Sequence, residues 1–67
     1  MEFNIVLKSL REEKGLSQEN LAKVLNTTNQ TVSRWELGQN EPDIKTIKFL
    51  AEYFGITCGQ LLGTEDL

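Results

Sequence analysis

The sequence predicts an all-α fold, a compact bundle of five short helices. Three observations carry that prediction. Apolar residues recur at helical spacing in successive segments, as at Phe3, Val6, Leu7 and Leu10. Gly15, Gly38 and Gly55 each close such a segment, where helix C-terminal caps place glycine. No Asn-Gly or Asp-Gly hairpin turn occurs, and no run alternates for long with period two.

The elements follow in order. The first helix covers roughly 3–13, with Phe3, Val6, Leu7 and Leu10 inward and Gly15 after it. Ser17 caps a second helix that runs to about residue 25. Leu21, Val24 and Leu25 form its apolar stripe, with Ala22 at a close-contact edge. Asn26 follows where a left-handed residue belongs, a conformation asparagine tolerates better than most residues. Thr28 caps a third helix, about 29–37, which ends at Gly38. "QNEP" is a loop holding Pro42, the one proline. Asp43 caps a fourth helix, about 44–54, with Ile44, Ile47, Leu50, Ala51 and Phe54 inward. Thr57 and Gln60 make a capping box for a last short helix holding Leu61 and Leu62. The domain is expected to span 1–62, and "GTEDL" at 63–67 to be a frayed acidic tail.

The 67 residues suffice for one small domain. With 39% hydrophobic and 25% charged residues the composition is globular. One cysteine, Cys58, and no histidine exclude an internal disulfide and leave no Cys/His metal site, so no metal and no cofactor is expected. Cys58 reads as an ordinary small residue, because no basic neighbour in sequence would activate it. The lack of a disulfide fits a reducing, cytoplasmic setting. No apolar run approaches the roughly 20 residues of a membrane span, and the N-terminus does not read as a secretory signal. The formal net charge is -3, yet residues 1–50 hold seven bases against seven acids. The deficit comes from Glu52, Glu65 and Asp66. A neutral body can still present one basic face, because local potential outweighs total charge at short range.

The stretch "NTTNQTVSRWELG", residues 26–38, carries the functional reading. On a helical wheel Val32 and Trp35 mark the inner side, while Gln30 and Arg34 point nearly opposite, flanked by Asn29 and Ser33. Asparagine and glutamine donate and accept at once, which matches the major-groove edge of adenine. Arginine offers two parallel donors to guanine. The methyl groups of Thr28 and Thr31 can touch thymine. On an arbitrary helix the same side would be a solvated face. Here a capped helix precedes it, and Leu21, Ala22, Val32 and Trp35 are spaced to pack the two together.

With "LKSLREEKGLSQENLAKVL", "TVSRWELG", "PDIKTIKFLAEYFGI" and the closing "LL", the chain resembles the Cro/lambda-repressor-like (Xre-type) helix-turn-helix family over about residues 5–62. The resemblance implies a five-helix bundle in which 17–25 and 28–37 are the two helices of the motif. It further implies that Asn29, Gln30 and Arg34 read bases, with Thr28, Thr31 and Ser33 as close neighbours. By the same likeness Gln18 is a phosphate clamp, and Asn40, Lys45 and Lys8 flank the DNA backbone. Glu36 lies at the edge of the buried side and needs a partner; the likeness points to Arg11. Leu37 departs from the pattern, since family members often have a polar residue there.

The function expected is a sequence-specific regulator of transcription, a repressor. It would bind a (pseudo)palindromic double-stranded DNA operator as a homodimer, with the third helix in the major groove. Lys8, Lys23, Arg34, Lys45 and Lys48 are few cations, so non-specific binding should be weak and the salt slope moderate. The alternative is an antitoxin or protein-interaction module whose partner meets the C-terminal helix at Leu61 and Leu62. An enzyme is not expected: there is no histidine, no phosphate loop and no recognisable carboxylate pair.

Overall fold

The computed structural model describes residues 3–67; Met1 and Glu2, the first two residues of the predicted domain, lie outside the described residues. Five helices form: α1 (Phe3–Glu13), α2 (Gln18–Leu25), α3 (Asn29–Glu36), α4 (Ile44–Phe54) and α5 (Cys58–Leu62). Among the described residues there is no strand. α2 packs on α3, α1 lies against α3 and α5, and α4 packs on α5.

Local chemistry sets the helix starts. Ser17 Oγ accepts the Asn20 N–H at 3.0 Å, Thr28 Oγ1 accepts that of Thr31 at 3.2 Å, and Asp43 Oδ1 accepts that of Thr46 at 2.9 Å. Each bond satisfies an N–H that the helix itself cannot. At α5 the cap is reciprocal. Gln60 N–H donates to Thr57 Oγ1, and Thr57 N–H donates to Gln60 Oε1, both at 3.0 Å. α2 ends on Asn26 at φ 56°, ψ 45°, the left-handed conformation its side chain tolerates. Gly38 at φ 76° lets the chain turn sharply out of α3.

Every helix sends at least one side chain to full burial: Val6 and Leu7, Leu21, Val32, Leu50 and Leu61. Burying each one contributes roughly 1.5–3 kcal/mol. Phe3, Ala22, Trp35, Ile47 and Ala51 complete this core. The buried charges are Arg11 and Glu36. Arg11 Nε donates to Glu36 Oε2 at 2.7 Å and Nη2 to Oε1 at 3.0 Å, while Nη1 donates to the Leu16 carbonyl at 2.7 Å. This fork joins α1, the α1–α2 turn and α3.

Three expectations are corrected. Val24 is exposed, because it lies about 100° round α2 from the centre of the Leu21–Ala22–Leu25 stripe. Ile44 is 75% exposed. It opens α4 one turn before Ile47, beyond the reach of the bundle. The tail is not frayed but folds back on α5. Thr57 Oγ1 donates to Glu65 Oε1 at 2.5 Å, Gln60 Nε2 donates to the Asp66 carbonyl at 3.0 Å, and the Thr64 and Glu65 N–H groups donate to the Gly59 carbonyl. Gly59 leaves room for this return, since a Cβ there would stand 2.6 Å from the Glu65 carboxyl.

Candidate nucleic-acid interface

α3 turns its apolar side inward through Val32 and Trp35, which fixes what faces out. Asn29, Gln30 and Arg34 are exposed along one strip, with Thr28 exposed at its start. Thr31 and Ser33 are half-buried at the margins. Among the described residues Asn29 and Gln30 make no side-chain hydrogen bond and Arg34 makes no ion pair. Their polar groups are therefore committed to nothing among the described residues. The hydroxyls of Thr28 and Thr31 are 2.9 Å apart and engage each other in the cap. Their methyl groups are the parts left for an outside contact.

The structure places the backbone candidates on different elements. Gln18 opens α2, half-buried, and its Nε2 donates to Glu36 Oε1 at 3.0 Å. Lys8 is exposed on α1. Asn40 lies on the α3–α4 loop, along a groove with Asn4, Trp35 and Gln39. Lys45 stands in the first turn of α4, beside Val24, Leu25 and Phe49. Arg11 and Glu36 are buried together and take no part in the exposed strip. Their charges stabilise each other: the Glu36 hydrogen bond raises the Arg11 pKa above its ordinary value, against an opposing effect of burial.

Three features were not foreseen from sequence. One is the Gln18–Glu36 bond, between residues 18 apart in the chain, for which no local pattern exists. A second is a groove of about 370 Å³ lined by Phe3, Pro42, Ile44, Ile47, Cys58 and Leu62, with Glu41 and Lys48 at its rim. Its signal in the sequence was weak: Ile44 reads as a core residue on a wheel, and Leu62 was singled out only as a candidate contact for a partner. The third is an aromatic row on α4, where Phe49 stacks on Tyr53 and Lys14 sits 5.0 Å over the Tyr53 ring. Among the described residues no helix is long and apolar enough to cross a membrane.

This arrangement has counterparts among known proteins. A family model described as helix-turn-helix matches residues 7–61. The HTH-type transcriptional activator BcrR of Enterococcus faecalis is 39% identical over 67 residues, all of this chain and 33% of its own length. The cryptic phage CTXphi transcriptional repressor RstR of Vibrio cholerae is 27% identical over 96% of this chain and 58% of its own. The crystal structure of a transcriptional regulator from Listeria innocua superposes with a TM-score of 0.91 at 32% identity, covering 98% of this chain and 62% of that one. The chain thus spans between a third and two thirds of the length of these relatives. With the α2–turn–α3 pair in place and 7–61 matched, the chain belongs to the helix-turn-helix family.

Proposed function

We propose that this chain is the sequence-reading domain of a transcriptional regulator, acting in the cytoplasm on double-stranded DNA. α3 enters the major groove. Asn29, Gln30 and Arg34 read base edges there, and Thr28, Thr31 and Ser33 make the closest neighbouring contacts. The observation that carries this reading is the uncommitted polar strip on a helix braced from behind by α2. Gln18, Asn40, Lys45 and Lys8 hold the backbone and set the register. We take repression as the sign of regulation, the sense of the phage relative RstR's name, whereas BcrR is named an activator; a domain that covers a promoter needs no further part to repress.

The protein reads a (pseudo)palindromic operator as a homodimer. The face between α4 and α5 supports this. Ile44 and Leu62 are exposed there beside Pro42 and Ile47. Glu41 and Lys48 stand at the rim with opposite charges and no ion partner among the described residues. Their opposite charges suit a two-fold contact in which Glu41 of one copy pairs with Lys48 of the other. The body measures 28 × 23 × 20 Å. The longest extent falls short of the roughly 34–36 Å between half-sites, so contact between copies is small and the proposed dimer assembles on DNA.

Fluorescence anisotropy on duplex DNA against salt tests the reading. Binding with a shallow log–log slope, abolished by Arg34→Ala and by Gln30→Ala in folded protein, is expected. A steep slope implying ten or more phosphate contacts, or full affinity in both variants, overturns it. The second result would mean that the strip is not what holds the DNA and would favour the antitoxin or protein-interaction reading.

A further inference from the structure

We propose that Glu36 is a positioning residue for the DNA-backbone contact and acts through Gln18; this rests on the reading above, in which Gln18 meets a phosphate. A carboxylate only accepts hydrogen bonds. The Gln18 amide must therefore turn its nitrogen, not its oxygen, toward Glu36, as the 3.0 Å bond from Nε2 to Oε1 requires. Glu36 cannot swing to suit Gln18. Its side chain is 3% exposed, and Arg11 grips both oxygens through Nε and Nη2. Arg11 is itself anchored to the Leu16 carbonyl just ahead of α2. One N–H of the Gln18 amide is thus spent inside the protein. The second N–H and the carbonyl oxygen are left in fixed directions at the start of α2.

A phosphate needs a donor. A free glutamine presents its donor or its acceptor with nearly equal ease and loses rotamer freedom on binding. Here the bond to the buried pair fixes which way round the amide stands, keeps its second N–H in one direction and removes that freedom. The Arg11–Glu36 pair, which closes the core, also presets the clamp that registers α3 in the groove.

The test replaces single DNA phosphates by neutral methylphosphonates in a bound duplex. In the wild type, one phosphate contacted by Gln18 loses roughly tenfold in affinity when neutralised, the scale of a hydrogen bond to a charged group. Gln18→Ala identifies it, because that position alone becomes insensitive. Glu36→Gln keeps shape and an acceptor for Arg11, but lets the two amides pair either way round. The proposal expects the same position to become insensitive in Glu36→Gln, with other phosphates unaffected. A merely structural loss would scale every position by the folded fraction and leave the pattern intact, which overturns the proposal. Absence of any sensitive phosphate in the wild type overturns the DNA reading itself. Should Glu36→Gln fail to fold, nuclear magnetic resonance of the wild type decides. Both Gln18 amide protons are expected to lie away from the two shifts that a free glutamine amide gives, with only the one facing away from Glu36 moving further on DNA binding. Free-glutamine shifts for both protons, or equal movement of both on binding, refute the proposal.

Discussion

Replacing Glu36 by alanine should be among the most damaging single changes in the domain. It removes both Arg11–Glu36 hydrogen bonds and the Gln18 bond, and leaves a guanidinium whose side chain is 10% exposed with only the Leu16 carbonyl. Stranding one member of a buried pair costs about 3–5 kcal/mol. At roughly 0.05–0.15 kcal/mol per residue, a 67-residue chain has about 3–10 kcal/mol in total. The loss is a third of the stability at the least, and all of it at the lower bound. Urea unfolding followed by circular dichroism measures it, with Arg11→Met/Glu36→Leu as the partner experiment. The double variant should recover most of the loss, because no buried charge remains unpaired. Glu19→Ala is the control: its 3.6 Å pair with Lys23 is largely exposed, and its loss should shift stability by no more than about 0.5 kcal/mol. If Glu36→Ala costs under about 1 kcal/mol, water reaches the pair and the bracing argument fails.

Further outcomes follow from single positions. Asn26→Gly should leave the melting temperature near that of the wild type, whereas Asn26→Val, forced to φ 56°, should lose about 1–2 kcal/mol. The Asp43 carboxyl is held below its ordinary pKa by the Thr46 side chain and then by the Thr46 backbone N–H. Its contribution to stability is therefore complete above the unfolded value, about 4, and is lost as pH falls through the lower folded one. Asp43→Asn should remove that part of the acid sensitivity in a pH series of melts. Ile44→Glu should fold normally, since the side chain is 75% exposed, yet fail to bind two half-sites cooperatively in sedimentation and gel-shift measurements.

The helix limits were legible because their causes are local. Ser17, Thr28, Asp43 and the Thr57–Gln60 box act within four residues, and Asn26 and Gly38 declare a left-handed turn by residue type. The polar strip on α3 was legible for a related reason: Val32 and Trp35 fix the inner side, and the outer side follows from the helical period. Val24 misled because it sits well off the centre of its stripe, and Ile44 because a wheel gives direction but not what lies in that direction. Ile44 points along its stripe to an open groove, which it lines with Pro42 and Leu62 without being covered. The folded-back tail needed Gly59 and Glu65 to be seen together, although the glycine inside a helix was a hint that something sits close. The Gln18–Glu36 bond joins two helices through one donor and one acceptor, and no periodicity encodes such a pairing.

In the function proposed above, α3 distinguishes DNA sequences through Arg34. Selection from random duplex DNA at low salt, run with wild type and Arg34→Ala in parallel, tests it most directly. The wild type is expected to enrich an inverted repeat with half-sites about one helical turn apart. The mutant should lose a G·C preference at one position of each half-site. Enrichment of the same sites by both proteins, or of none by either, would contradict it.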